Sequence, residues 1–407
     1  MSNTSSFVIL FFTVFLDLIG FGIVLPLLPN YARELGASPL LIGIVAGSYS
    51  LMQFFSAPLW GTISDRIGRR PVILISVATS TVSYLIFSQS HTVWLLLLSR
   101  ILAGIGSANV GVTQAYIADI TTFENRSKSL GILGAAFGLG FVLGPPIGGI
   151  VKSAYGIEAV GYIAALLTGL DLLLAYFLLP ESLKEKKSGS MRLTFLQIDK
   201  MASAFQHPAL SRLLIIGFCF VFAFVNMQIS VPLLWREHYA LTDKAIGYLF
   251  ALVGIISVIV QGGLIGRLSR HFGERKVLTA GLATMCVGIT LIPFVPEGWL
   301  FPAGLFVLTL LAIGNGLVTP VNTSLISLYA KPEEQGELLG VAQSIGSLGR
   351  ILGPLSGSLF YGLDPHAPYL VGGSFLLVGL FLSLALFSLE LAPPLQAARV
   401  SAEAQAR

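Results

Sequence analysis

Apolar residues gather along this chain into long runs separated by short polar connections. The runs fall at 7–29, 40–62, 72–89, 92–119, 128–151, 158–179, 209–233, 244–265, 276–294, 299–328, 337–361 and 367–389. A helix needs about 20 mostly apolar residues to cross the hydrocarbon layer of a bilayer, and each run is near that length. Lipid offers no partners to backbone N–H and C=O groups, so a segment that crosses it alone satisfies its own backbone as a helix. The pattern predicts an all-α membrane protein with twelve transmembrane helices.

One long polar connection, Pro180 to Pro208, leaves six spans on either side. It predicts an N-terminal six-helix bundle over 1–180, a cytoplasmic linker over 181–208, a C-terminal six-helix bundle over 209–390 and a cytoplasmic tail over 391–407. Within the linker, Leu193, Leu196, Met201 and Phe205 suit either one side of a short surface helix or an irregular tethered loop. Three landmarks recur in order at an offset close to half the chain length. Pro26-Leu-Leu-Pro29 returns as Pro232-Leu-Leu-Trp235, and Gly144-Pro145 as Gly353-Pro354. Between them, Gly61-Thr-Ile-Ser-Asp65-Arg66-Ile-Gly68-Arg69-Arg70 returns as Gly266-Arg-Leu-Ser-Arg270-His-Phe-Gly273-Glu-Arg275. Two related bundles are the plan of alternating-access carriers.

Composition agrees with this placement. Only 11% of the 407 residues are charged and 55% are apolar, where a soluble domain carries about 25% charged residues. With a mean hydropathy of +0.84, the surface cannot be clothed for water, which excludes a soluble enzyme, a disulfide scaffold and a nucleic-acid binder. Cys219 and Cys286 lie in apolar runs without Cys-x-x-Cys spacing and read as packing residues. Met1 to Ser6 lack a basic signal-peptide region, so the first run is expected to remain as a span. There is no Walker loop for a nucleotide, and neither a cofactor nor a metal is expected.

The basic residues explain the pI near 9.0. Eighteen of the 24 Lys and Arg lie on the side of the linker and the termini, while Arg33, Lys152, Arg236 and Lys244 lie opposite. By the positive-inside rule, both termini face the cytoplasm of a multi-pass protein in the cytoplasmic (inner) membrane.

Charged groups within spans cost several kcal/mol unless paired or hydrated, and so mark function. Asp17, Arg100, Asp171 and Arg350 are the four. Exclusion of water favours the neutral form of a carboxyl group and a neighbouring Arg favours the ionised form, so small rearrangements load or release a proton. Asp17, Arg100 and Asp171 are therefore the candidate proton-coupling residues. Neutral polar side chains complete a candidate substrate cavity with Arg350: Tyr49, Gln53, Gln114, Asn226, Gln228, Gln261, Asn315, Asn322 and Gln343. Gln114 joins Arg100, Gly104, Ser107 and Gly111 on one helical face, whereas Asn226 and Gln228 cannot share a face, so one of the two is expected to point inward.

The loop from Gly61 to Pro71 has a mechanical sense of its own. Gly61 and Gly68 permit a tight reversal, Asp65 suits the backbone amides of a helix N-terminus, and Arg66, Arg69 and Arg70 suit carboxylates at helix ends. In the fifth span, Gly134, Gly138, Gly140, Gly144 and Gly148 recur at steps suited to close helix packing, and Pro145-Pro146 interrupt the hydrogen-bond ladder.

These motifs resemble those of the major facilitator superfamily across nearly the whole chain, and most of all its twelve-span drug/proton antiporters, tetracycline/proton antiporters included. The resemblance is carried by Asp17 to Pro29, Gly61 to Pro71, Arg100 to Gly106 and Gly140-Phe-Val-Leu-Gly144-Pro145-Pro146-Ile-Gly148-Gly149, the last similar to the antiporter motif associated with export. It implies the major facilitator fold of two pseudo-symmetric bundles, and a monomer that exports small amphipathic organic molecules in exchange for protons by alternating access. A metabolite symporter or uniporter of the same fold is the alternative. It also implies that Arg69 meets Asp119 and that Asp65 faces the start of the eleventh span, as a conformational latch. The sequence departs from the tetracycline exporters in having Ser83 in the third span, no acid in the ninth and all five His outside span interiors. That points to a multidrug or metabolite exporter and away from tetracycline with its metal.

Overall fold

The computed structural model describes residues 3–121, 123–183, 198–329 and 335–389, with side chains described except at 3–7, 123–135, 137, 198–201, 336 and 337. Among the described residues, nine helices are long and apolar enough to cross a membrane, ten if one bent pair counts as a span. Each of the twelve predicted runs overlaps a helix.

The bent pair is α1, Asn3–Val24, and α2, Leu28–Glu34, which meet at 44°. Pro26 disfavours helical backbone in the residue before it, so α1 stops short of it, and Pro29 then sits in the first turn of α2, where its missing N–H costs nothing. α3, Pro39–Ile67, starts on Ser38, whose hydroxyl accepts the Leu41 N–H, and α5, Val93–Gly106, starts likewise on Thr92. Between them runs α4, Arg69–Ser88. After α5, a 3₁₀ turn at Ser107–Asn109 leads into α6, Val110–Ile120.

The fifth and sixth runs lie in one long element, α7, Phe123–Leu178. Backbone torsions stay helical through Pro145 and Pro146; the break is Gly156, at φ 85°. α8, Ile198–Gln206, occupies the end of the linker, and Leu193 and Leu196 lie outside the described residues, as does the tail. α9, Pro208–Glu237, is followed by α10, Asp243–Ile259, which passes through a π-helical turn at Val260–Leu264 into α11, Ile265–Phe272. α12, Glu274–Leu291, α13, Leu305–Tyr329, α14, Gln335–Leu363, and α15, Ala367–Ala385, complete the chain.

The repeat is visible at matching junctions: Gly68 (φ 117°) joins α3 to α4 and Gly273 (φ 82°) joins α11 to α12. Positive φ at this turn is open to glycine and strained for other residues. Gly61 has no such part. It lies inside α3, which continues five residues past the predicted end of its span because no breaker comes before Gly68, and its carbonyl accepts the Ser64 hydroxyl at 2.7 Å.

The chain divides into two compact units. One comprises Met1–Phe195 with Gln228–Ile255 and Pro354–Leu363, so it holds the first-half helices together with the ends of α9, α10 and α14 that lie away from the linker. The other comprises Leu196–Met227, Ile256–Gly353 and Asp364–Arg407. The first unit contains two apolar clusters. Leu10, Val14, Val72, Ile73, Val112 and Tyr116 belong to one, and Ile23, Leu27, Ile42, Phe87, Leu96 and Val160 to the other.

Candidate functional site

On five helices of the first unit, polar residues fall between these two clusters. On α1, Asp17 separates Val14 from Ile19; on α4, Ser80 and Ser83 separate Val77 from Tyr84; on α5 and α6, Arg100 and Asn109 separate Leu96 from Val112; and on α7, Thr168 and Asp171 separate Ala165 from Ala175. The result is a polar belt at mid-depth, bounded above and below by apolar packing.

Asp17 is half-buried and its Oδ2 accepts a hydrogen bond from Asn109 Nδ2 at 3.1 Å. Asp171 is 1% exposed; its Oδ1 accepts from the Thr13 hydroxyl at 2.9 Å and its Oδ2 meets no donor. Thr13 and Asp17 stand one turn apart on α1, so the hydroxyl that holds Asp171 sets that acid about one helical turn from Asp17 along α1. Arg100 is 2% exposed and packs over the rings of Phe87 (5.3 Å) and Tyr84 (5.8 Å). Its Nε and Nη2 find no acceptor. A belt of this kind holds two acids and a guanidinium with unmet donors, the groups that a travelling proton or a polar ligand head needs.

Around it, Tyr49 stacks near Phe21 at 4.7 Å, and Gln53 donates to the Ser107 carbonyl at 3.3 Å. Gln114 is exposed although Arg100 is buried, because the 3₁₀ turn between α5 and α6 shifts the helical register that placed both on one face. Asn226 and Gln228 are both buried. In the second unit, Asn315 donates to Ser257 at 3.1 Å, Arg350 donates to Ser347 at 2.7 Å, and Asn322 is buried. Gln343 is exposed, as is Gln261, which lies in the π-helical turn of the eighth run.

At the linker end of the first unit, Arg69 pairs with Asp65 at 2.6 Å and with Asp119 at 3.3 Å. Arg66 is half-buried beside them, and the start of the eleventh run, which Asp65 is expected to face, belongs to the other compact unit. α4 has no capping side chain of its own. Glu181 supplies one from just beyond the end of α7: its carboxylate accepts the N–H groups of Arg69 (2.8 Å) and Arg70 (3.2 Å), the positive end of the α4 dipole. Arg70 donates to the Tyr176 carbonyl at 2.6 Å and Ser182 to Asp119 at 3.0 Å.

The glycines of the fifth run have two faces. A Cβ on Gly140 would lie 2.6 Å from the Leu18 Cβ, and one on Gly144 2.7 Å from the Gly22 Cα, while Gly148 abuts Ile23. These three permit backbone contact with α1. Gly149 faces the other way: a Cβ there would come within 3.0 Å of the Lys244 Cα at the start of α10, where Gly247 in turn approaches Pro145. Thr13, Asn109 and Glu181 are the functional candidates missed from sequence. Asn109 carried a usable signal, as an amide within an apolar run.

Two overlapping matches to the family described as Major Facilitator Superfamily cover residues 10–271 and 213–406. The chain belongs to the Major Facilitator Superfamily. Among its relatives in the superfamily are the tetracycline resistance protein, class C, of Escherichia coli, 35% identical over 89% of this chain and 91% of that protein, and multidrug resistance protein 2 of Bacillus subtilis (strain 168), 28% identical over 93% and 94%. The crystal structure of the human organic anion transporter MFSD10 (TETRAN) superposes with a TM-score of 0.69 at 25% identity, covering 94% of this chain and all of that one. The nucleoside transporter NupG shares the fold, with a TM-score of 0.76 at 17% identity over 94% and 99%. This is a multi-pass membrane protein with the fold and relatives of superfamily transporters.

Proposed function

We propose that this protein is a proton-coupled exporter of small amphipathic organic molecules, working by alternating access as a monomer. The observation that carries this reading is the polar belt, where Asp17 is held by Asn109 and set beside Asp171 between two apolar clusters. Relatives named for tetracycline and multidrug resistance support export as the direction. In this reading the protein sits in the cytoplasmic membrane with both termini and the linker inside, and residues 1–180 and 209–390 move as the two bundles. Asp17 takes a proton from outside and yields it to the cytoplasm, and substrate occupies the cavity while Asp17 is ionised. Arg100 and Asp171 set when that exchange is favourable. Tyr49, Gln53 and the polar residues of α9, α13 and α14 contribute the substrate cavity. The pairing of Asp65, Arg69 and Asp119 serves as the inner latch.

Transport into proteoliposomes tests the coupling. An acidic lumen should drive substrate in, because each proton leaving carries substrate the other way, and Asp17→Asn should abolish that drive while leaving substrate exchange at zero gradient intact. Asp17→Asn with full gradient-driven uptake would remove the assignment.

A second reading, an anion-carrying metabolite symporter, is favoured by the unmet N–H groups of Arg100 and by the structural likeness to an organic anion transporter. It makes the opposite prediction: an acidic exterior, not an acidic lumen, drives uptake. A uniporter would respond to neither gradient.

A further inference from the structure

The four basic residues on the side away from the linker look in sequence like the leftover of the charge rule. Three of them are engaged in ion pairs. Lys152 Nζ lies 3.2 Å from Glu34 and 3.2 Å from Asp243, while Arg236 lies 2.9 Å from Glu34 and 3.2 Å from both carboxylate oxygens of Asp243. The four side chains close a ring of alternating charge. Beside it, Arg33 pairs with Glu237 at 2.7 Å, and the Tyr361 hydroxyl donates to the other Glu237 oxygen at 2.9 Å. Lys152 and Asp243 are shielded, at 9% and 12% side-chain exposure, whereas Glu34 and Arg236 are 40% exposed. Isolated surface pairs contribute little, but a closed network with one desolvated pair, Lys152 with Asp243, is held far more firmly.

We infer that this ring is an outer ionic latch that holds the transporter closed on the side away from the linker. The inference rests on the alternating-access reading above. Glu34 and Lys152 come from the first half of the chain, and Arg236 and Asp243 from the second, all within one compact unit. Backbones approach closely beneath the ring, where Gly149 meets the start of α10 and Asn30 donates to the Pro232 carbonyl at 3.1 Å. The arrangement of signs is what makes the ring reversible. Pulled apart between the halves, it separates into two neutral pairs, Lys152 with Glu34 and Arg236 with Asp243, so opening breaks two contacts and strands no charge. Removing one partner of a shielded pair is costly because it leaves the other uncompensated, and this division avoids that cost.

Accessibility of a single cysteine tests the latch in the full chain. Ser358 is buried in α14 against Gly43, and Ser358→Cys in a Cys219→Ala, Cys286→Ala background gives a reporter for a membrane-impermeant maleimide applied to intact cells. Inverting one pair, Glu34→Lys with Lys152→Glu, keeps net charge and keeps that pair attractive, but makes both contacts between the halves repulsive. Labelling should accelerate about tenfold, the factor given by about 1.4 kcal/mol of lost latch free energy. Adding Arg236→Glu and Asp243→Arg restores alternation and should return the slow rate. Unchanged labelling in the inverted pair, or fast labelling that persists when all four are inverted, overturns the latch. Should the fourfold variant fail to reach the membrane, Arg33→Glu alone against Arg33→Glu with Glu237→Arg poses the same test, fast then slow. Labelling needs neither substrate nor proton gradient, so failure of the latch and failure of the export reading are separate outcomes.

Discussion

Arg100 shows how a single residue reveals its role by what it lacks. Cation–π contacts with Tyr84 and Phe87 return about 0.5–2 kcal/mol each, while a buried charge with unmet donors costs several kcal/mol. The balance is unfavourable, as the proposed role of Arg100 in proton coupling would require. Arg100→Met should therefore melt no lower than the parent protein in a thermal scan, yet lower transport at least about tenfold; a large loss of stability would mean that the guanidinium is structural. Asp17 differs in having a partner. Asn109→Leu leaves its carboxylate without the donor and should impair gradient-driven uptake more than substrate exchange at zero gradient, a split that general damage to packing would not produce. The need for an acid and a base within the spans was legible in the sequence, since charges are rare there. Their partners, Thr13 and Asn109, were not, because hydroxyls and amides within spans are too common to single out without knowing what faces them.

At the scale of the element, glycine positions make opposite predictions according to their neighbours. Gly144→Val places atoms where the Gly22 backbone lies, and forcing α1 and α7 apart costs about 1–3 kcal/mol by analogy with overpacked cores. Gly111→Ala, with no atom within 4 Å of the new Cβ, should be neutral or slightly stabilising in the same thermal assay. At the α3–α4 junction, Glu181→Gln keeps the shape of the cap but removes its charge from the helix dipole, and should lower the melting temperature and loosen the Arg69 pairing without altering substrate exchange under saturating gradient. Further along, Asp364 accepts the His366 N–H at 2.6 Å and the His366 ring nitrogen at 3.0 Å, contacts that hold its carboxyl below the usual carboxylate range. The stability this contributes is present above the ordinary carboxylate pKa and is lost as pH falls through the lower folded value. The difference in melting temperature between the parent and Asp364→Ala should accordingly shrink on acidification. Helix ends followed local chemistry in most places: Ser38, Thr92 and Pro26 mark their boundaries in the sequence. The union of the fifth and sixth runs and the register shift after Gly106 did not, because apolar periodicity says where a span lies and little about how neighbouring spans join.

For the whole molecule, the few charges sort into three populations. Those on the linker side set the expected orientation and supply the Asp65, Arg69 and Asp119 pairing, those at mid-depth form the belt, and those on the opposite side close the ring. The proposed ionic latches at both ends would suit a carrier that must hold each side shut in turn. Composition and the spacing of apolar runs settled that the chain is an all-helical membrane protein with a repeated plan, because lipid imposes one length and one way of satisfying the backbone on every span. Motif residues were enough for the superfamily. Tertiary structure alone decided which polar groups meet: that Thr13 of α1 holds Asp171 of α7, that Glu181 caps a helix 112 residues earlier in the chain, and that the outer charges alternate in sign around a ring. Such pairings join residues far apart in sequence, and a one-dimensional pattern carries the identity of each side chain without the direction in which its helix turns it.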